Sequence, residues 1–282
     1  MAGSGQLLST AFSLAAVFCW GTSDFTGGCA SRRSDAFLVT LLTHASGFGL
    51  MSASALALHA ARPGHSSQLW AMAAGALGGT ALAIFYRALA SGHMGLTAPV
   101  AAVLAAAIPT GYGMAIEGVP GAVPLTGFLL AGMGIWLISR PEDGLGRPAG
   151  VGLALIAGLG FAGFFICINR TGDSSALWSA AYSRFAALVV VGIIVLARRG
   201  KGGLRLVDAG RAVFAGFLDS TGTYLFIRAD QTGRLDAAVV LSSLYPMVTV
   251  VLARLLLKEH FTRWKAVGVL AALAAVPLIA AQ

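Results

Sequence analysis

Residues Ala74–Gly92 read AGALGGTALAIFYRALASG, and residues Ala215–Gly233 read AGFLDSTGTYLFIRADQTG. A shift of 141 residues lays one on the other, and Ala74, Gly75, Leu77, Thr80, Phe85, Arg87, Ala88 and Gly92 each meet an identical residue. Nearly the same shift carries Glu117 to the Lys258-Glu259 pair and Gly127 to Gly268. The chain therefore reads as two copies of one unit, so whatever one unit forms, the other should form as well.

Outward from these stretches, each copy is a series of apolar runs. A helix needs about 20 mainly apolar residues to cross a bilayer. Ten such runs occur, at 7–29, 36–60, 69–90, 94–116, 119–139, 149–169, 175–197, 208–229, 235–257 and 264–281. The connections are short, the clearest being Arg32–Asp35, Arg62–Gln68, Arg140–Pro148 and Arg198–Leu206. Ser139–Arg147, which holds Pro141, Glu142, Asp143 and Gly144, is the most polar stretch near the middle and reads as the linker between units 1–140 and 148–282. Five crossings per unit is an odd number, so the second unit starts from the opposite side of the membrane. The expected fold is an all-α integral membrane protein of ten transmembrane helices in two inverted five-helix repeats. Such repeats recur in secondary transporters, with the substrate site near the bilayer midplane.

The composition agrees: 57% of residues are hydrophobic and 11% charged, against about 25% charged in a soluble domain. The 37 glycines suit close helix contacts in lipid, where small residues let backbones approach. Gly75 and Gly79 could serve such a contact within one chain or between two, so monomer and homodimer both fit. The formal charge of +8 is spread in short groups between apolar runs, with no basic face or tail. That distribution excludes a nucleic-acid partner and leaves a small-molecule substrate and membrane lipid. Arg32, Arg33, Arg140, Arg147, Arg198, Arg199, Lys201, Arg205, Lys258, Arg263 and Lys265 fall on one side of the predicted spans, and only Arg62, Arg170, Arg228 and Arg234 on the other. The richer side is expected in the cytoplasm, which puts both termini outside. The N-terminus has no charged n-region, so 7–29 reads as a retained span. Cys19, Cys29 and Cys167 have no metal or disulfide spacing and read as packing residues.

Ionisable groups inside spans are the most informative residues, because at mid-membrane they need a partner or a wet cavity. Arg184 and Asp219 fall near the middle of the seventh and eighth spans, where they can pair. The pair reads either as a structural clamp or as a site where substrate or a proton competes for Asp219. Gly216, Asp219 and Thr223 share one helical face. Asp24 reads either as a solvated aspartate near the end of its span or as a gate or proton acceptor, with Trp20 as an aromatic wall. His44 lies opposite Arg184 under the repeat shift and carries a side chain able to titrate near neutral pH. Pro246 interrupts the ninth span beside Ser242, Ser243 and Tyr245, and Pro99 and Pro109 interrupt the fourth; a proline frees a backbone carbonyl and can act as a hinge. Tyr182 and Tyr224 are further candidate cavity liners. Gly158-Leu-Gly160-Phe-Ala-Gly163 has a nucleotide-loop spacing but lies within an apolar run, so helix packing explains it. No HExxH, Walker A loop or GxSxG elbow occurs, and no catalytic residue, metal or cofactor is expected.

Three motifs carry a family resemblance: Trp20-Gly21-Thr22-Ser23-Asp24-Phe25; Tyr86-Arg87-Ala88-Leu89 with Gly92; and Ser242-Ser243-Leu244-Tyr245-Pro246 running on to Lys258-Glu259 and Gly268. Together, over nearly the whole chain, they resemble the EamA-type branch of the drug/metabolite transporter superfamily. The resemblance implies ten helices in inverted halves around a central cavity, export or exchange of amino acids, metabolites or drugs, and a bacterial cytoplasmic membrane. It also implies both termini inside, opposite to the charge count. The first half departs from the pattern, since Ala105 stands where Pro246 aligns and Pro109 follows one turn later. The expected function is alternating-access export of a small amphiphile, proton-coupled if Asp219, Asp24 or His44 titrates. A passive channel or exchanger and a flippase of lipid-linked substrates are the alternatives.

Overall fold

Each predicted span is helical in the computed structural model, which describes residues 2–91, 94–138, 150–198, 202–258 and 262–280. The predicted linker Ser139–Arg147 and Glu259 lie outside the described residues. In chain order the helices are α1 (Ala2–Ser31), α2 (Ala36–Ala57), α3 (His65–Ser91), α4 (Met94–Glu117), α5 (Ala122–Ile138), α6 (Val151–Asn169), α7 (Ala176–Ala197), α8 (Leu206–Thr232), α9 (Leu235–Ser242), α10 (Tyr245–Leu257) and α11 (Arg263–Ala280). No strand occurs among the described residues.

The predicted ninth span is thus two helices, broken at Ser243-Leu244. Pro246 sits in the first turn of α10, where its missing N–H and fixed φ cost nothing, whereas a continuous helix would need that donor. The fourth span corrects the expectation. Pro99 and Pro109 do not interrupt it, and α4 runs through both. A proline in a membrane helix loses one backbone bond, and neighbouring helices and small local adjustments absorb the loss.

Helix starts are set by local chemistry. Asp35 caps α2, its carboxylate accepting from the amides of Phe37 at 2.9 Å and Leu38 at 3.3 Å. Ser175 caps α7 by accepting from the Trp178 amide. Both side chains satisfy donors that a helix N-terminus leaves orphaned.

Among the described residues, six helical segments are long and apolar enough to cross a membrane: α2, α3, the Val100–Glu117 part of α4, α6, α7, and α9 with α10 taken together. Long but more polar, α1 and α8 pack most extensively on each other. Helices that carry polar groups are tolerated in a membrane when protein rather than lipid surrounds them. The outer faces of the bundle are apolar, with Phe18, Leu129, Leu196 and Leu255 among the exposed side chains.

The other main contacts are α3 with α6 and α7, α2 with α7 and α8, α4 with α6, and α5 with α11. Small residues set these approaches. Gly75 lies against the Ser183 carbonyl and Gly216 against that of Thr43, too close in each case for a Cβ to fit. Gly79 likewise meets Ala187, and Gly47 meets Ser220. Gly158 packs on Ala101 of α4, and Gly160 and Gly163 pack on Ala81 and Leu77 of α3, so the nucleotide-like glycine spacing is a helix contact.

Candidate functional site

The sequence places Trp20 and Asp24 one turn apart on α1, and Asp219 and Thr223 one turn apart on α8, so each pair shares a face. Packing α1 on α8 brings the two pairs together around a cavity that α7 and α10 complete with Arg184 and Tyr245. Gly78 and Leu82 of α3, Ala105 of α4 and Phe161, Phe164 and Phe165 of α6 form the rest of the wall. The space measures about 490 Å³ with its open part included, of which about 50 Å³ is room for the centres of water-sized molecules.

One buried ion pair anchors the polar side. Arg184 Nη1 lies 2.8 Å from Asp219 Oδ2, and both residues are over nine-tenths buried. Arg184 Nη2 donates to the Thr223 hydroxyl. Nη1 also lies 3.4 Å from His44 Nδ1. A guanidinium only donates, so this contact requires an unprotonated Nδ1. Arg184 Nε has no hydrogen-bond partner. Trp20 Nε1 donates to the Asp219 carbonyl at 3.1 Å, and Ser23 donates to the Ala215 carbonyl at 2.8 Å. These two bonds fix the rotation of α1 against α8, and with it the positions of Asp24 and Asp219.

Asp24 is in a different situation. It is 6% exposed, not solvated at an interface, because α8 and α3 cover the end of α1 that carries it. It faces the cavity, and among the described residues it forms no hydrogen bond or ion pair. The Tyr245 hydroxyl, also buried on the cavity wall, is unpartnered too. Trp20 forms the centre of an aromatic cluster, with ring centroids 5.8 Å from Phe165, 5.7 Å from Phe226 and 6.4 Å from Tyr245.

Of the sequence candidates, Trp20, Asp24, Arg184, Asp219, Thr223 and Tyr245 line the cavity, and His44 stands behind Arg184. Tyr182 and Tyr224 do not line it. Tyr182 stacks on Trp178 at 5.9 Å; two positions from Arg184 is about 200° around a helix, so it points away. Tyr224, about 100° beyond Thr223, packs against the core instead. Gly216, grouped with Asp219 by periodicity, is taken up by the α2 contact. Ser242 and Ser243 are buried at the α9–α10 break without hydrogen-bond partners, and Pro246 is buried beside them; none of the three lines the cavity. The sequence reading missed the α6 aromatics. Phe161, Phe164 and Phe165 recur at helical spacing on one face, a signal masked by the uniformly apolar run around them.

Comparison with known proteins then supplies the family. Residues 148–281 match the EamA-like transporter family. The second half of the chain is similar to an EamA-type transporter. That family consists of transporters, not enzymes, and the several apolar helices of this chain agree with a multi-pass integral membrane protein of that kind. A search of curated proteins returns no match. One solved crystal structure superposes on this chain with a TM-score of 0.74 at 16% identity, covering 96% of this chain and 95% of its own. At that identity the likeness is one of fold.

Proposed function

We propose that this protein is a secondary transporter that exports small amphiphilic molecules by alternating access around the Trp20–Asp24–Arg184–Asp219 cavity. The observation that carries this reading is the cavity itself. Its walls come from residues on both sides of the predicted linker, Trp20 to Ala105 before it and Phe161 to Tyr245 after it. A site between two bodies can be exposed to either side as the bodies rock.

Reciprocal packing supports two related halves. The contact of α1 with α8 answers that of α6 with α3, and α2 with α8 answers α7 with α3. Gly75 against Ser183 answers Gly216 against Thr43, and the Asp35 cap answers the Ser175 cap. An inverted five-plus-five arrangement, with α9 and α10 counted as one broken span, accounts for this pattern. Proton coupling would act through Asp24, Asp219 or His44, whose protonation would bias which state is populated.

The test is vesicle flux of a substrate panel, with and without a pH gradient. It compares the wild type with Ala105→Phe, which fills the cavity, and Leu129→Phe, on an exposed face. Flux should stop in the first variant and persist in the second. Undiminished flux through Ala105→Phe would show that the cavity is not the path.

A further inference from the structure

We propose that the cavity takes a monovalent organic cation, an amphiphilic amine whose ammonium sits at Asp24 and whose apolar body lies against Trp20, Phe165 and Tyr245. This rests on the cavity being the transport path.

The argument is one of charge and donors. The cavity holds one cation, Arg184, and two carboxylates, Asp24 and Asp219. Arg184 and Asp219 neutralise each other at 2.8 Å. Asp24 is left over, buried, with no donor among the described residues. The other ionisable groups near it are Asp219 of α8, Tyr86 of α3 and Tyr245 of α10. None of these brings a positive charge, and Arg184 of α7 is already engaged. An isolated buried carboxylate is costly unless a cation or a proton joins it, so Asp24 is a carboxylate that a cationic group would complete as an ion pair.

An anion or a zwitterion fits less well. Its carboxylate would need Arg184, yet Nη1 is taken by Asp219 and Nη2 by Thr223. Nε and the second Nη2 hydrogen remain, but a carboxylate held there would join a guanidinium whose charge Asp219 already neutralises at 2.8 Å, beside two carboxylates that repel it. An ammonium at Asp24 displaces nothing. The rings beside it add to the preference, since aromatic faces attract cations. The unpartnered Tyr245 hydroxyl is a further acceptor for an ammonium N–H.

Four probes with the same phenyl body separate the charge classes: phenethylamine, phenethyl alcohol, hydrocinnamate and phenylalanine, as cation, neutral, anion and zwitterion. Binding is measured on the purified full chain by calorimetry, and flux in proteoliposomes. The amine should bind at least about tenfold more tightly than the other three, a difference of about 1.4 kcal/mol. Asp24→Asn should lose that preference with a melting temperature no lower than that of the wild type, and Asp24→Glu should keep part of it. If phenylalanine or hydrocinnamate binds as tightly as the amine, the inference is overturned. Equal amine binding by Asp24→Asn overturns it as well. Should Asp24→Asn fail to fold, the four-probe order on the wild type decides alone. Flux of phenylalanine that Ala105→Phe abolishes, with the amine excluded, sinks only the cation assignment. Flux of these probes that Ala105→Phe leaves intact sinks the cavity reading beneath it.

Discussion

Removing one partner of the Arg184–Asp219 pair should destabilise the protein far more than removing both. Asp219→Asn keeps the shape of the side chain and deletes its charge, leaving Arg184 cationic and over nine-tenths buried. Breaking a buried pair from one side costs about 3–5 kcal/mol. An independent scale gives about 2.5–3.5 kcal/mol for an arginine at mid-membrane. Thr223 and His44 still contact the guanidinium, which favours the lower end, about 3 kcal/mol, where the two ranges meet. For a chain of this size that is a fall of roughly 5–10 °C in melting temperature. The double variant Arg184→Met/Asp219→Leu removes both charges and replaces them with apolar volume, so it should return to within about 1 kcal/mol of the wild type. The assay is thermal unfolding of the detergent-purified protein, comparing the wild type, Asp219→Asn and the double variant, with flux measured in parallel. A stable double variant that no longer transports assigns the pair a role in transport, and one that transports normally makes it a clamp. The electrostatic reasoning fails if Asp219→Asn melts with the wild type, or if the double variant is no more stable than the single.

Three further outcomes follow from the packing. Gly75→Ala and Gly216→Ala should each cost about 1–3 kcal/mol by driving a Cβ into a backbone carbonyl, whereas Gly132→Ala, which faces open space, should gain about 0.5–1 kcal/mol from helix propensity; relative melting temperatures check the contrast. Arg234→Gln should cost about 2 kcal/mol, because Arg234 holds the carboxylate of the fully buried Asp236 at 2.7 Å and ties the Glu117 and Gly118 carbonyls to the start of α9. Asp236→Asn added to Arg234→Gln should recover part of that loss in the same unfolding assay. Pro246→Ala supplies the donor missing at the α9–α10 break, and it should slow hydrogen exchange around Ser243-Leu244 while leaving α4 unchanged.

The helices were legible because hydropathy and local capping are short-range properties. The limits of α2, α6 and α7 fall close to those expected from apolar runs and from Asp35 and Ser175. The α9–α10 break was legible as a proline in a polar context, but Pro99 and Pro109 show that proline alone does not decide. A helix continues through a proline when its surroundings absorb the lost bond, and the surroundings are tertiary. The same limit applied to the candidate site. Arg184, Asp219 and Asp24 stood out because a charge within an apolar run demands an explanation. The α6 aromatics did not, because in a uniformly apolar helix no face is distinguished until a neighbour is known.

Composition, run length and internal similarity therefore determined that the chain is helical and apolar and to which family it is similar, since these depend on residue type and order. The tertiary structure alone decided that Asp219 is matched while Asp24 is left without a partner. It decided too that His44 stands behind Arg184 and that Tyr182 and Tyr224 turn away. The rotation of each helix about its axis is set where small residues let backbones meet, as at Gly75 on Ser183 and Gly216 on Thr43. Those contacts join residues more than a hundred positions apart, which no local pattern can encode.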